Sequence, residues 1–218
     1  MNPVQDRLDP AGTWAIIPVR GLERAKSRLG GPLDAEERND LVSRLLSRAL
    51  AAATGSSLVA GTIVVSSDPA ALDIARASGA VPVADLDGGL NPALDLARSE
   101  ALARGATAIV VLPGDLPWLD RGTLEAVLGA ARDAAPGPAR LVALVPDRHG
   151  TGTNVLILAP PDVIGFAFGP GSRAEHAARA GVAGASYVEL GGPLDIDLDT
   201  TEDLVLVEGL APETIDVG

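Results

Sequence analysis

Cysteine is absent from this chain of 218 residues, lysine occurs once, aromatic side chains make up 2% and histidine appears only as His149 and His176. Without cysteine there are no disulfides, thiolate metal centres or cysteine nucleophiles. Two histidines argue against a histidine-built transition-metal site. The scarcity of aromatics argues against stacking platforms for single-stranded nucleic acid. A formal net charge of −12 argues further against general DNA or RNA binding, which uses cationic charge to displace counterions from phosphates. No basic, apolar, small-residue pattern opens the chain, and no apolar run approaches the ~20 residues of a membrane span. The protein is therefore expected to be cytoplasmic, with neither a nucleic-acid nor a membrane partner. Its oligomeric state is not legible, although a homodimer is compatible with the sequence.

What is present is 47% hydrophobic, so the core must be built from Ala, Val, Leu and Ile. That favours helices layered on a sheet, and the length suits one domain. The expected division is a flexible leader over 1–12, a single domain over 13–210 and a tail over 211–218. Within the domain, apolar runs and turn residues alternate as strand and helix. Strands are predicted at 15–19, 62–65, 81–83, 107–112, 141–145, 153–158 and 187–190. Helices are predicted at 34–53, 70–78, 91–104, 122–134, 173–180 and 201–210, with Asp34 and Ser172 as natural caps. The fifth and sixth strands flank a glycine-bearing turn and read as a hairpin, which would make the sheet mixed at one edge. The pattern predicts a doubly wound α/β domain, whose ligands lie outside the carboxyl ends of the strands.

The loops at that edge carry the notable residues. Arg20, Arg24, Lys26 and Arg28 follow the first strand against the single acid Glu23, a local reversal of the chain's charge. Lys26, the sole lysine, suggests a compact ammonium group that holds a phosphate. Asp115 ends the most continuous apolar strand, a place for a carboxylate that binds a hard cation or simply forms a turn. Asp195, Asp197 and Asp199 alternate; in an extended segment Asp197 and Asp199 point the same way and repel unless a cation lies between them, although Asp199 could also cap a helix. No GxxxxGK[ST] motif occurs, so a P-loop reading is weak. Together these features describe a nucleoside triphosphate site with divalent ions. Gly150 to Thr153, and Gly169 with Ser172 at a helix start, could receive a second anion or be an ordinary turn and cap. Asn91 could touch a base or ribose, or cap its helix. His149 and His176 are expected at the surface or behind the binding groups, and not as catalytic bases.

Six segments taken together resemble a known family. They are PVRGLERAKSRL at 18–29, GGLNPAL at 88–94, LPGDLPWL at 112–119, HGTGTNVL at 149–156, FGPGSRAEH at 168–176 and DIDLDTTEDL at 195–204. The family is the guanylyltransferases of deazaflavin coenzyme F(420) biosynthesis, which attach GMP to phosphoenolpyruvate or 2-phospho-L-lactate. The first segment also resembles a divergent form of the signature loop in sugar-nucleotide and molybdenum-cofactor nucleotidyltransferases. The resemblance implies a Rossmann-like GT-A fold with a mostly parallel mixed sheet flanked by helices. It implies Mg²⁺ held by Asp115, Asp197 and Asp199, a phosphorylated three-carbon acid held by Thr153, Gly169 and Ser172, and GTP met by the loop of Lys26. Arg20, Arg24 and Asn91 are the further nucleotide-binding candidates, and Lys26 and Asp115 the catalytic ones. Phosphoenolpyruvate is the expected acceptor by analogy. Phospholactate, 3-phosphoglycerate or a non-catalytic nucleotide-binding role are the alternatives. Thr200-Thr201 departs from the family's usual Thr-Pro, and the resemblance assigns no role to Asp195.

Overall fold

A computed structural model describes residues 8–19, 34–85, 88–134 and 140–197. Its strands are β1 (Thr13–Val19), β2 (Gly61–Ser66), β3 (Val81–Ala84), β4 (Ala108–Val111), β5 (Leu141–Pro146), β6 (Thr153–Ala159) and β7 (Ser186–Glu189). Between them lie α1 (Ala35–Gly55), α2 (Pro69–Ala77), α3 (Leu90–Ala103), α4 (Arg121–Ala134) and α5 (Ser172–Ala183), and a 3-10 turn over Pro193–Asp195 follows β7. The predicted elements within these residues are all present. The helix expected at 201–210 lies outside the described residues.

Local chemistry explains the helix starts. The Asp34 carboxylate accepts the Glu36 and Glu37 N–H groups while Glu37 accepts the Asp34 N–H, a reciprocal cap for α1. Asp68 accepts the Ala70 N–H, with Pro69 pre-set for the first turn of α2. At α4, Asp120 and Thr123 exchange backbone-to-side-chain bonds, and the Thr123 N–H holds the Asp120 carboxyl below the usual carboxylate range.

The seven strands form one sheet in the order β3-β2-β1-β4-β6-β5-β7. All neighbours pair in parallel except at β6, which runs against both β4 and β5. This corrects one expectation. The hairpin is real, but its antiparallel strand is inserted between β4 and β5, and the edge beyond it is closed by β7, parallel to β5. A second correction concerns the leader. Leu8 is buried in the core, and the Asp9 carbonyl accepts N–H groups from Gly12 and Thr13, so the described end of that segment is packed.

Apolar side chains fill both faces of the sheet. One cluster joins Ile17, Val64, Val110 and Val145 to residues of α1, α2 and α4; the other joins Ile16, Ile63, Val111 and Leu144 to residues of α3 and α5. Strand alternation thus sends consecutive residues of β1 to opposite layers. The chain winds outward from β1 to β3, then returns to place β4 on the other side of β1. That reversal makes a switch point between the carboxyl ends of β1 and β4, where open α/β sheets bind ligands. Among the described residues no helix is long and apolar enough to cross a membrane.

Candidate active site

The switch point is lined by β1 on one side and the segment after β4 on the other. β1 ends at Val19, and Arg20, Arg24 and Lys26 just beyond it lie outside the described residues. Leu112 donates its N–H to the Ile16 carbonyl, carrying β4 one residue past its last bridge. A methyl group on the next glycine, Gly114, would meet Ile17 and Val19 at 3.7 and 3.8 Å, so the chain before Asp115 abuts the mouth of β1. Leu112, Leu116 and Leu119 sink into the core beneath α1 and α4. The Leu119 carbonyl accepts a bond from Arg48 Nε of α1 at 3.0 Å. Asp115 is thereby held half-buried at the carboxyl edge of the sheet.

The segment after β7 returns to the same edge. Leu190 donates its N–H to Leu144, and Leu190 and Leu194 join the apolar cluster that anchors Leu112 and Leu116. Full burial of Leu194 contributes about 2 kcal/mol to that anchorage. Asn154, the second residue of β6 and itself buried, donates from Nδ2 to the Leu194 carbonyl at 3.1 Å. The 3-10 turn is pinned on β5 and β6 in this way, and half-buried Asp197 follows it. Asp115 and Asp197 therefore sit on segments rooted in one cluster at one edge. Asp199 lies outside the described residues, and among those described no three His, Cys, Asp or Glu side chains are grouped to hold a metal. The oxygen-only chemistry of Asp115 and Asp197 fits a hard divalent cation such as Mg²⁺.

Thr153, Gly169 and Ser172 are brought together. Thr153 opens β6 after a tight turn in which Asp147 accepts the Thr151 N–H and the Gly150 N–H bonds the Asp147 carbonyl. At Gly152 a Cβ would fall 2.7 Å from Asp147 Oδ2, so a larger residue there would have to displace the carboxylate that holds the turn. Arg173 ties the turn to α5 through its Nη1 bond to the Gly150 carbonyl, and forks onto Glu189 of β7. Glu189 lies below the ordinary carboxylate range chiefly through that arginine. The Ser172 N–H bonds the Gly169 carbonyl, and Ser172 Oγ lies 3.1 Å from Thr153 Oγ1.

Ser172 does not cap α5 as the sequence suggests. Gly171, at φ 75°, is the cap, and Ser172 is the first helical residue with its hydroxyl turned to Thr153. The left-handed φ is one that glycine adopts at no steric cost. Asn91 does not cap α3 either. That place falls to Gly89, while the Asn91 carboxamide pairs with both the N–H and the carbonyl of Phe168, fastening α3 to the loop before α5.

The residue the sequence undervalued is His176. It is wholly buried, with Nδ1 3.1 Å from Thr153 Oγ1 and Nε2 accepting the Ala167 N–H at 3.1 Å. Phe168 packs edge-on against its ring at 5.2 Å. Burial, reinforced by the Arg179 charge and opposed by Glu175, lowers its pKa to about 4, so the ring is neutral at pH 7. Its spacing, four residues after Ser172 on one helix face, is the signal that could have found it. His149, by contrast, is exposed as expected.

A solved structure from Desulfovibrio desulfuricans G20, described as a nucleotide-diphospho-sugar transferase, is similar with a TM-score of 0.72 and 16% identity, over 94% of this chain and 90% of that one. A cytidylyltransferase from Leptospira borgpetersenii has a TM-score of 0.56 and 15% identity, over 88% of this chain and 83% of that one. These likenesses define the fold as the GT-A-like fold of nucleotide transferases. A family model described as "Guanylyl transferase CofC like" matches residues 13–210. A relative from Sphaerobacter thermophilus, named phosphoenolpyruvate guanylyltransferase, is 42% identical over 201 residues, which cover 92% of this chain and 94% of its own. The chain belongs to this guanylyltransferase family.

Proposed function

We propose that the protein transfers GMP from GTP to phosphoenolpyruvate, giving enolpyruvoyl-diphospho-guanosine and pyrophosphate, a step in deazaflavin coenzyme F(420) biosynthesis. One observation carries this reading. The segments bearing Asp115, Asp197 and the Thr153–Ser172 pair all come to the edge where β1 ends, which supports a cation site and a small-anion site beside the switch point. The two hydroxyls, both almost fully buried at the start of α5, support a compact anion site, which suits a small phosphorylated acid better than a bulky cofactor.

A phosphate oxygen of the acceptor attacks the α-phosphorus of GTP in line, the bond from that phosphorus to the bridging oxygen breaks, and pyrophosphate leaves. The acceptor phosphate is already ionised at neutral pH, so no protein nucleophile is required. Thr153, Gly169 and Ser172 bind the acceptor and orient it, which supplies much of the catalysis in reactions of this kind. Arg20, Arg24 and Lys26 neutralise triphosphate charge, whereas Asn91, its carboxamide paired with the Phe168 main chain, serves by fastening α3 to the loop before α5 instead of holding the nucleotide. Asp115 and Asp197, with Asp199, would hold Mg²⁺, which supplies charge neutralisation at the phosphates when bound.

Pyrophosphate release from GTP, measured with phosphoenolpyruvate, 2-phospho-L-lactate, 3-phosphoglycerate and no acceptor, tests the reading. Release with phosphoenolpyruvate alone is expected. Release with another acceptor alone would replace the substrate, and none with any acceptor would favour a non-catalytic nucleotide-binding protein.

A further inference from the structure

The hydroxyls of Thr153 and Ser172 pose a question of proton count. Two hydroxyls in mutual contact own two protons and spend one on the bond between them. The direction of the second depends on the buried ring behind Thr153. If His176 Nδ1 were bare, it would accept that proton and the pair would have none to offer. The structure decides the matter from the far side of the ring. Ala167 donates its backbone N–H to Nε2, and a backbone amide can only donate, so Nε2 carries no hydrogen. The single proton of the neutral ring is then on Nδ1 and points at Thr153 Oγ1, 3.1 Å away.

We propose that His176 is a positioning residue for the acceptor: by donating from Nδ1 to Thr153, it leaves the Thr153–Ser172 pair with one spare O–H donor for an anionic oxygen of the bound acid. The proton left over cannot return to the histidine, whichever hydroxyl donates to the other. At the N-terminal end of α5, where the helix dipole favours negative charge, that donor suits a carboxylate or phosphate oxygen. Three further contacts keep the ring from turning over. Phe168 lies against its face, Asn91 holds the main chain of Phe168 on both sides, and the Ala167 amide occupies Nε2. The other tautomer would set donor against donor at Ala167, and a flipped ring would present a carbon there in place of the Nε2 acceptor.

The inference rests on the reading that Thr153 and Ser172 bind the acceptor, and its test separates the two. In H176N the amide can reproduce the Nδ1–H donor toward Thr153 but not the Nε2 acceptor. In H176Q it can reach Ala167 but not Thr153. With GTP saturating and acceptor varied, H176Q, which leaves the buried Thr153 hydroxyl without the donor that orients the pair, is expected to raise the acceptor KM about tenfold or more, the usual consequence of leaving a buried polar group short of a partner. The GTP KM should stay within about twofold, and H176N should keep the acceptor KM within about threefold of the unmodified chain. Equal impairment of both variants, or a parallel rise in the GTP KM, would reduce His176 to a structural role and overturn the proposal. Thermal melting of both variants identifies a loss that comes from unfolding. The ring tautomer, read by imidazole ¹⁵N NMR on the unmodified chain, is independent of turnover. An Nδ1–H signal with a bare Nε2 is expected, and the opposite tautomer overturns the proposal even in an active enzyme. An unmodified chain inactive with every acceptor would instead sink the functional reading and the acceptor role with it.

Discussion

Acidification should weaken the fold through His176 before it touches most of the carboxylates. The folded-state pKa is lowered from 6.5 to about 4, first by burial and then by the nearby Arg179 charge, with Glu175 opposing. A histidine whose folded pKa lies below its unfolded value binds its proton more readily when the chain is unfolded. Its stabilising contribution is therefore complete above about pH 6.5, falls as the pH drops toward 4, and is lost below that. The linkage relation gives a loss of about 2 kcal/mol by pH 5 and about 3 kcal/mol by pH 4. Urea unfolding of the unmodified chain and of H176N at pH 7.5, 6 and 5 measures it, because the difference between the two chains cancels every other titrating group. The Asp120, Glu125 and Glu189 carboxyls are all lowered, so their contributions disappear at more acidic pH than this window. A gap between the chains that narrows by about 2 kcal/mol from pH 7.5 to pH 5 is expected. A gap that stays constant would mean that the ring is charged or solvated in the folded state, and would refute the argument from burial.

The other expectations concern the site and the sheet beneath it. Asp115→Asn and Asp197→Asn should each lower kcat by ~100-fold or more at saturating Mg²⁺, in keeping with lost charge stabilisation at a phosphoryl centre; near-normal turnover in either would remove that residue from the cation site. Asn154→Ala should free the turn at 193–195 from β6, and is expected to raise the Mg²⁺ concentration needed for half-maximal activity while leaving the GTP KM within about twofold. An unchanged Mg²⁺ dependence would show that the Leu194 bond does not position Asp197. Gly61→Ala should lower stability by about 1–3 kcal/mol, because its Cβ would stand 2.5 Å from the Trp14 ring where β2 pairs with β1. An unchanged melting temperature would show that the indole moves aside without cost.

Much of this arrangement was legible because it is written in local chemistry. Asp34 and Asp68 announce their helices through bonds made within three residues, and the apolar runs at β1 and β4 need no partner to be recognised. The hairpin turn likewise identified β5 and β6 as a pair. It carried no information about the other side of β6, and only packing against β4 decides that the antiparallel strand lies inside the sheet. Ser172 misled for a related reason. A serine at the start of a helix is a strong cap signal, yet its hydroxyl is claimed by Thr153, nineteen residues earlier in the chain. The importance of His176 depends on an amide from Ala167 and a hydroxyl from a distant strand, so its residue type alone gave no tautomer. Asp115 and Asp197 were visible as candidates, whereas the leucines that root both segments in one cluster could be grouped only after folding.

The most direct test is a crystal structure with Mg²⁺, phosphoenolpyruvate and a GTP analogue whose α,β-bridge cannot be cleaved. Asp115 and Asp197 are both expected to ligate metal next to the triphosphate, with an anionic group of phosphoenolpyruvate on Thr153 and Ser172. Metal density that excludes either aspartate, or phosphoenolpyruvate bound away from those hydroxyls, would contradict that expectation.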